Sequence, residues 1–173
     1  MVLYKLDKYY PEYRDETLAY FDIKDFYVYA NNELIGSVTN ILIDGDNGRF
    51  RYFVIDTGFW IFSIKVLLPV GLASVDYDYK RLFVPGLRQE QIDNLPEFKE
   101  NFVIDNDYEE RVRDVYRPLV TITDLSAFYN ASTYNYTLEP YFYEVSDRNL
   151  KMYEEKLMSR KNSHQVTHIL HQA

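Results

Sequence analysis

IDTGFWIFSIKVLLPVGLASVD, residues 55–76, is the most apolar stretch of an otherwise acidic chain, and its reading decides the fold. A transmembrane helix needs about 20 largely apolar residues, but Asp56, Ser63, Lys65 and Ser74 interrupt this run. Pro69 and Gly71 would break a helix as well, one by lacking an N–H donor and the other by its backbone freedom. We therefore expect the stretch to be the core of a soluble β-fold. Burying side chains such as Val66, Leu67 and Leu68 contributes about 1.5–3 kcal/mol each.

Outward from this stretch, between Asp25 and Val84, short β-rich runs alternate with turn residues, the pattern of a small barrel or sandwich. The runs are residues 25–30, 34–43, 49–55, 60–62, 65–70, 72–75 and 81–84. DGDNG (44–48) joins the second and third, because Gly, Asn and Asp tolerate the positive φ of a hairpin turn. Along the third run Phe50, Tyr52 and Val54 alternate with Phe53 and Ile55, so both faces are apolar and need closure or a covering layer. Gly36 suits a sharp bend, and Pro69 places its strand at an edge or a bulge.

The chain of 173 residues has room for one domain with extensions. We read 1–21 as an N-terminal arm, 22–97 as the barrel, 98–145 as an acidic connector and an irregular, aromatic-rich linker, and 146–173 as a C-terminal helix and tail. Short helices are expected in RQEQIDNLPEF (88–98) and near 107–116. Ser146 is the expected N-cap of the last helix, whose apolar face is Leu150, Tyr153, Leu157 and Met158. The fold class is thus mainly β.

The net charge of −8 and a pI near 4.9 oppose direct nucleic-acid binding, which needs clustered Lys and Arg against phosphates. No cysteine is present, which excludes disulfides, thiolate metal sites and cysteine nucleophiles. No signal peptide is legible at MVLYKLDKYYPEY, and a cytoplasmic location is expected, with peripheral membrane contact allowed.

Residues 34–70 resemble the PRC-barrel, a small β-barrel named after the H subunit of purple bacterial photosynthetic reaction centres and also found in a ribosome maturation factor. The resemblance is carried by Ile35-Gly36-x-Val38, Ile41-Leu42-Ile43-Asp44, Gly48 before Arg51-Tyr52, Val54-Ile55-Asp56-Thr57-Gly58, Trp60 and Lys65-Val66-Leu67-Leu68-Pro69. Through LRQEQIDNLPEF and DYEERVRDVYRP it extends to stand-alone cyanobacterial proteins described as reaction-centre H-like. In those relatives a second, stress-associated domain follows the segment similar to LKMYEEKLMSRKN, and here it is expected to be absent or truncated. Phe59 stands where the family often has a second glycine. The resemblance implies a small PRC-type β-barrel used as an interaction module.

Function is therefore expected to be non-enzymatic: a self-associating module that docks on a protein or a membrane-associated complex, without cofactor or metal. Phe59, Trp60, Tyr134, Tyr136, Tyr141 and Tyr143 are the candidate binding residues, the tyrosines either anchoring a partner or folding back over the barrel. Two alternatives are an aspartic-protease-like homodimeric hydrolase using Asp56 of FVIDTG, and a ribosome or RNA-processing accessory factor. The turn reading of Asp56-Thr57-Gly58 outweighs the protease. DGDNG lacks the ligands of a calcium loop, having Gly48 and Ile55 at its fifth and twelfth positions. His164, His168 and His171 could share a helix face, yet a frayed tail is expected over a metal site. The sequons at Asn130 and Asn135 are read as chance, and Asp105, Asp107, Glu109 and Glu110 as a solvated acidic face.

Overall fold

A computed structural model of the chain describes residues 2–14, 16–58, 63–101, 103–120, 134 and 139–172, with side chains up to 163. The expected strand at 60–62, most of the linker and both sequons lie outside the described residues. The fold is a seven-stranded sheet in the order β5-β4-β3-β2-β7-β6, with β1 paired to β3. Its strands are β1 (Leu3–Lys5), β2 (Tyr27–Ala30), β3 (Glu33–Asp44), β4 (Phe50–Asp56), β5 (Lys65–Pro69), β6 (Ser74–Asp76) and β7 (Arg81–Phe83). Pairing is antiparallel except between β2 and β7. The helices are α1 (Leu6–Tyr9), α2 (Gln89–Asp93), α3 (Asn106–Val120), α4 (Pro140–Tyr143) and α5 (Arg148–Gln172).

β3 organises the sheet. At 12 residues it is long enough to pair with β4 along one side and with β2 and then β1 along the other. The turn into it is Asn31-Asn32, both at positive φ (51° and 68°), which asparagine tolerates and which matches the twist of a tight hairpin. The turn out of it is the expected one: the Asp44 carboxylate accepts the Asp46 N–H at 2.9 Å, and Gly48 sits at φ 76°. A Cβ on Gly36 would lie 2.3 Å from the Asp56 carbonyl, so the glycine is what lets β4 approach. The segment read as an arm supplies β1 and the buried Leu6, Tyr10, Tyr13, Leu18 and Phe21.

The architecture departs from the expected barrel in one respect: the sheet is not closed, and β5 and β6 are its edges. Each edge is covered instead. On β5, the Phe98 N–H donates to the Lys65 carbonyl at 2.7 Å and the Tyr116 hydroxyl to that of Leu67 at 2.8 Å. On β6, the Val75 N–H donates to the Asp147 carboxylate at 3.2 Å. Backbone groups that closure would have paired find other partners, which blocks strand addition. Pro69 lies on the β5 edge, where its missing N–H does not break the ladder.

The covering layer that β4 requires is helical. Tyr108, Val112 and Tyr116 of α3 recur every four residues and are buried, as are Phe142 of α4 and Leu150, Tyr153 and Leu157 of α5. The connector forms a full 15-residue helix, with Asp105 accepting the Tyr108 N–H at 2.8 Å. The expected cap Ser146 is displaced by its neighbour: Asp147 Oδ1 accepts the Leu150 N–H at 2.9 Å and Oδ2 reaches the edge of β6. A carboxylate can serve both donors at once, which a serine hydroxyl cannot do at that reach.

Candidate functional site

A polar interior lies between β4, α3 and α4. Ile43 pairs with Phe50 and Leu42 with Tyr52, so Arg51 is the extra residue of a β-bulge. Bulges re-aim side chains, and here Arg51 and Tyr52 converge on one carboxylate oxygen of Glu109, at 2.7 and 2.8 Å. The Tyr52 and Tyr143 hydroxyls are 2.6 Å apart, and the Arg113 guanidinium donates to Tyr143 at 3.1 Å. Arg113 also holds Glu110 at 2.7 Å, and Arg117 bridges Glu110, Asp114 and Glu139. Tyr134 donates to Glu139 at 2.8 Å, while the Arg113 guanidinium carbon lies 3.7 Å from the centre of its ring.

Burial pushes the phenols of Tyr52, Tyr134 and Tyr143 up, so they stay protonated as donors. Burial alone would raise the Glu110 carboxyl too, but hydrogen bonds from Arg117 and Arg113 hold it below the usual range. Each of these carboxylates is engaged by an arginine, a tyrosine or both, which is the arrangement of a structural network rather than of an acid–base pair. Among the described residues no group of three or more His, Asp or Glu is placed to hold a metal ion.

Three of the six candidate binding residues lie among the described residues. Tyr134, Tyr141 and Tyr143 come together around Glu139 and Tyr52, half-buried, with rings and hydroxyls turned inward. Tyr136, like Phe59 and Trp60, lies outside the described residues, as do the side chains of His164, His168 and His171. Asp56 closes a turn: its carboxylate accepts the Gly58 N–H at 2.9 Å and the Ser63 hydroxyl at 2.7 Å, while Thr57 bonds the Ile64 carbonyl at 2.8 Å. Both carboxylate oxygens are thereby used, and the hydrolase reading gains no support. Glu109 corrects the solvated acidic face, because it is only 2 % exposed and ion-paired. The legible signal was the spacing of Glu109, Arg113 and Arg117, one position behind the apolar stripe of α3.

A second feature lies on the outside of the sheet. Leu34, Tyr29 and Phe83 are direct partners across β3, β2 and β7, and in the next row Tyr27, Arg81 and Asp76 are partners across β2, β7 and β6. Direct partners share a face, and this one points away from the core: Leu34 is 44 %, Tyr27 51 % and the adjoining Tyr79 71 % exposed. The Tyr29 and Phe83 rings lie 6.1 Å apart, and Arg81 sits 5.2 Å from the Tyr29 ring and 5.4 Å from that of Tyr79. These aromatic rings form a contiguous outward surface rather than scattered exposed residues.

Residues 15–91 match the PRC-barrel domain. The match covers under half of the chain, and α3 to α5 lie beyond it. An uncharacterized protein of Deinococcus radiodurans is 34% identical over 70 residues, 40% of this chain and 25% of that protein. The chain thus matches a quarter of the length of that relative. No helix of the described residues is long and apolar enough to cross a membrane.

The segment that matches the PRC-barrel domain is tied to α5 by a second buried carboxylate. Glu154 is 2 % exposed, its Oε2 accepts the Phe50 N–H at 2.8 Å, and Arg49 stands 3.5 Å away. Burial raises its carboxyl, outweighing the Phe50 N–H and Arg49, with Glu155 adding to the rise. A carboxyl raised on folding favours the folded state most at pH below its unfolded value, and that contribution is lost as pH rises through the folded value. Glu154→Gln should remove this dependence. Unfolding midpoints in urea, measured from acid to neutral pH, should therefore fall for the wild type relative to the variant; a constant difference would refute the assignment.

Proposed function

We propose that this chain is a non-catalytic interaction module that docks through the outer aromatic face of its PRC-barrel segment, with a second copy of itself as the first partner. The observation that carries the reading is the outward surface of Tyr27, Tyr29, Phe83, Tyr79 and Leu34, beside an interior whose acids and bases are mutually engaged. Aromatic side chains of this kind are the usual anchors of interfaces. Covered edges on β5 and β6 favour face-to-face docking over strand addition. Arg81 and Asp76 stand side by side, which supplies both charge signs and suits a self-complementary two-fold contact. Docking on a membrane-associated complex, in the manner of the reaction-centre H subunit, would use the same face with a different partner.

Analytical ultracentrifugation over a range of concentrations and salt tests this. The wild type should dimerise more readily as salt screens the repulsion between chains of charge −8. Tyr29→Thr combined with Phe83→Thr keeps β-propensity and should leave a folded monomer. A wild type monomeric throughout would remove self-association, and co-sedimentation with membranes abolished by the same pair would then transfer the face to a membrane complex. Neither association would sink the proposal.

A further inference from the structure

We propose that the cavity between residues 9–12 and residues 157–161 of α5 binds a small monocarboxylate with an apolar body, its carboxylate seated on the Lys161 ammonium. The cavity is about 210 Å³ and is walled by Tyr9, Tyr10, Pro11 and Leu157, with Glu12, Arg160 and Lys161 supplying charge. Ligand sites for drug-sized molecules are roughly 300–1,000 Å³, so this one fits a smaller acid rather than a nucleotide or a peptide. Its aromatic walls are held in place: the Tyr10 hydroxyl donates to the Gly48 carbonyl at 2.6 Å, and the Tyr9 and Tyr10 rings meet edge to face at 4.8 Å.

Lys161 gives the cavity its chemistry. Its ammonium lies 3.3 Å from the centre of the Tyr9 ring and 5.6 Å from that of Tyr10, and it donates to the Tyr9 carbonyl at 3.2 Å. An ammonium has three donors, and none of the ion pairs among the described residues involves this one. Burial lowers its amine below the usual range, with no carboxylate acting against that shift. A half-buried cation beside apolar walls gains most from an anion that brings its own apolar surface. Of the residues that line the cavity, Lys161 and Arg160 are cations and Glu12 is the one carboxylate, which suits a monoanion over a dianion.

This inference does not rest on the docking reading. Benzoate is a suitable probe, with benzyl alcohol as its uncharged counterpart, titrated into the full chain and followed by isothermal calorimetry and by the ring resonances of Tyr9 and Tyr10. Saturable binding of benzoate, with benzyl alcohol weaker by about tenfold or more, is the expected result. Lys161→Met keeps the apolar stem and should abolish the preference for benzoate, while Lys161→Arg should retain it. No saturable binding, or an unchanged preference in Lys161→Met, would overturn the proposal. Should the methionine variant fail to fold, the comparison of the two probes on the unaltered chain still decides it.

Discussion

Glu109→Ala is expected to destabilise the chain by about 3–5 kcal/mol, because it leaves the Arg51 guanidinium buried without its close carboxylate. The Asp44 carboxylate is 4.0 Å from Arg51, too far to take over the hydrogen bond lost at 2.7 Å. The Tyr52 hydroxyl loses an acceptor in the same change. Most of the penalty belongs to the stranded charge rather than to the pair itself. The double variant Arg51→Met with Glu109→Leu, which removes both charges and keeps volume, should therefore recover most of the loss. Urea unfolding of Arg51→Met, Glu109→Leu and the double, read as a thermodynamic cycle, provides the measurement. A double variant as unstable as the sum of the singles would show that the pair has no coupling.

Tyr153→Ala should cost about 3–5 kcal/mol, the range for truncating a large buried aromatic. Its ring stacks on Phe21 at 6.0 Å and meets Phe50 edge-on at 5.6 Å, and its hydroxyl approaches the Tyr13 carbonyl at 3.5 Å. One side chain thus joins the N-terminal segment, β4 and α5. Its loss should loosen α5 before the sheet, so amide hydrogen exchange should rise first along residues 148–163 and at Val75, whose acceptor is Asp147. Equal acceleration across β3 and β4 would mean that α5 has no separate docking equilibrium.

Legibility in the sequence followed the range of the interactions involved. DGDNG is a local device, its Asp44 side chain bonding a residue two positions away, and it forms the expected hairpin. The two apolar faces of β4 called for closure or a covering layer and the layer is what forms; Pro69 called for an edge or a bulge, and its strand is an edge. Glu109 was misread because its partner lies 58 residues earlier and is turned inward only by a bulge, a feature of pairing register that residue types do not reveal. Ser146 and Asp147 are both good caps in isolation; the choice is made by a peptide N–H on β6, 72 residues away. The open sheet was hidden for the same reason, since closure and edge covering ask the same apolar pattern of the strands. The inward tyrosines came from a segment without periodicity, where only the three-dimensional positions of Arg113 and Glu139 show why Tyr134 and Tyr143 turn back.

The bond from Val75 to Asp147 also sets a timetable for biosynthesis. A ribosome that has just made Val75 must add 72 residues before Asp147 exists, which at roughly 5–20 residues per second takes on the order of 4–14 s. Throughout that interval the nascent polypeptide carries a strand able to pair with its neighbour on the same messenger. The β6 edge gains this cover only once residue 147 has been made, and a ribosome stalled between these two codons would present a species prone to association.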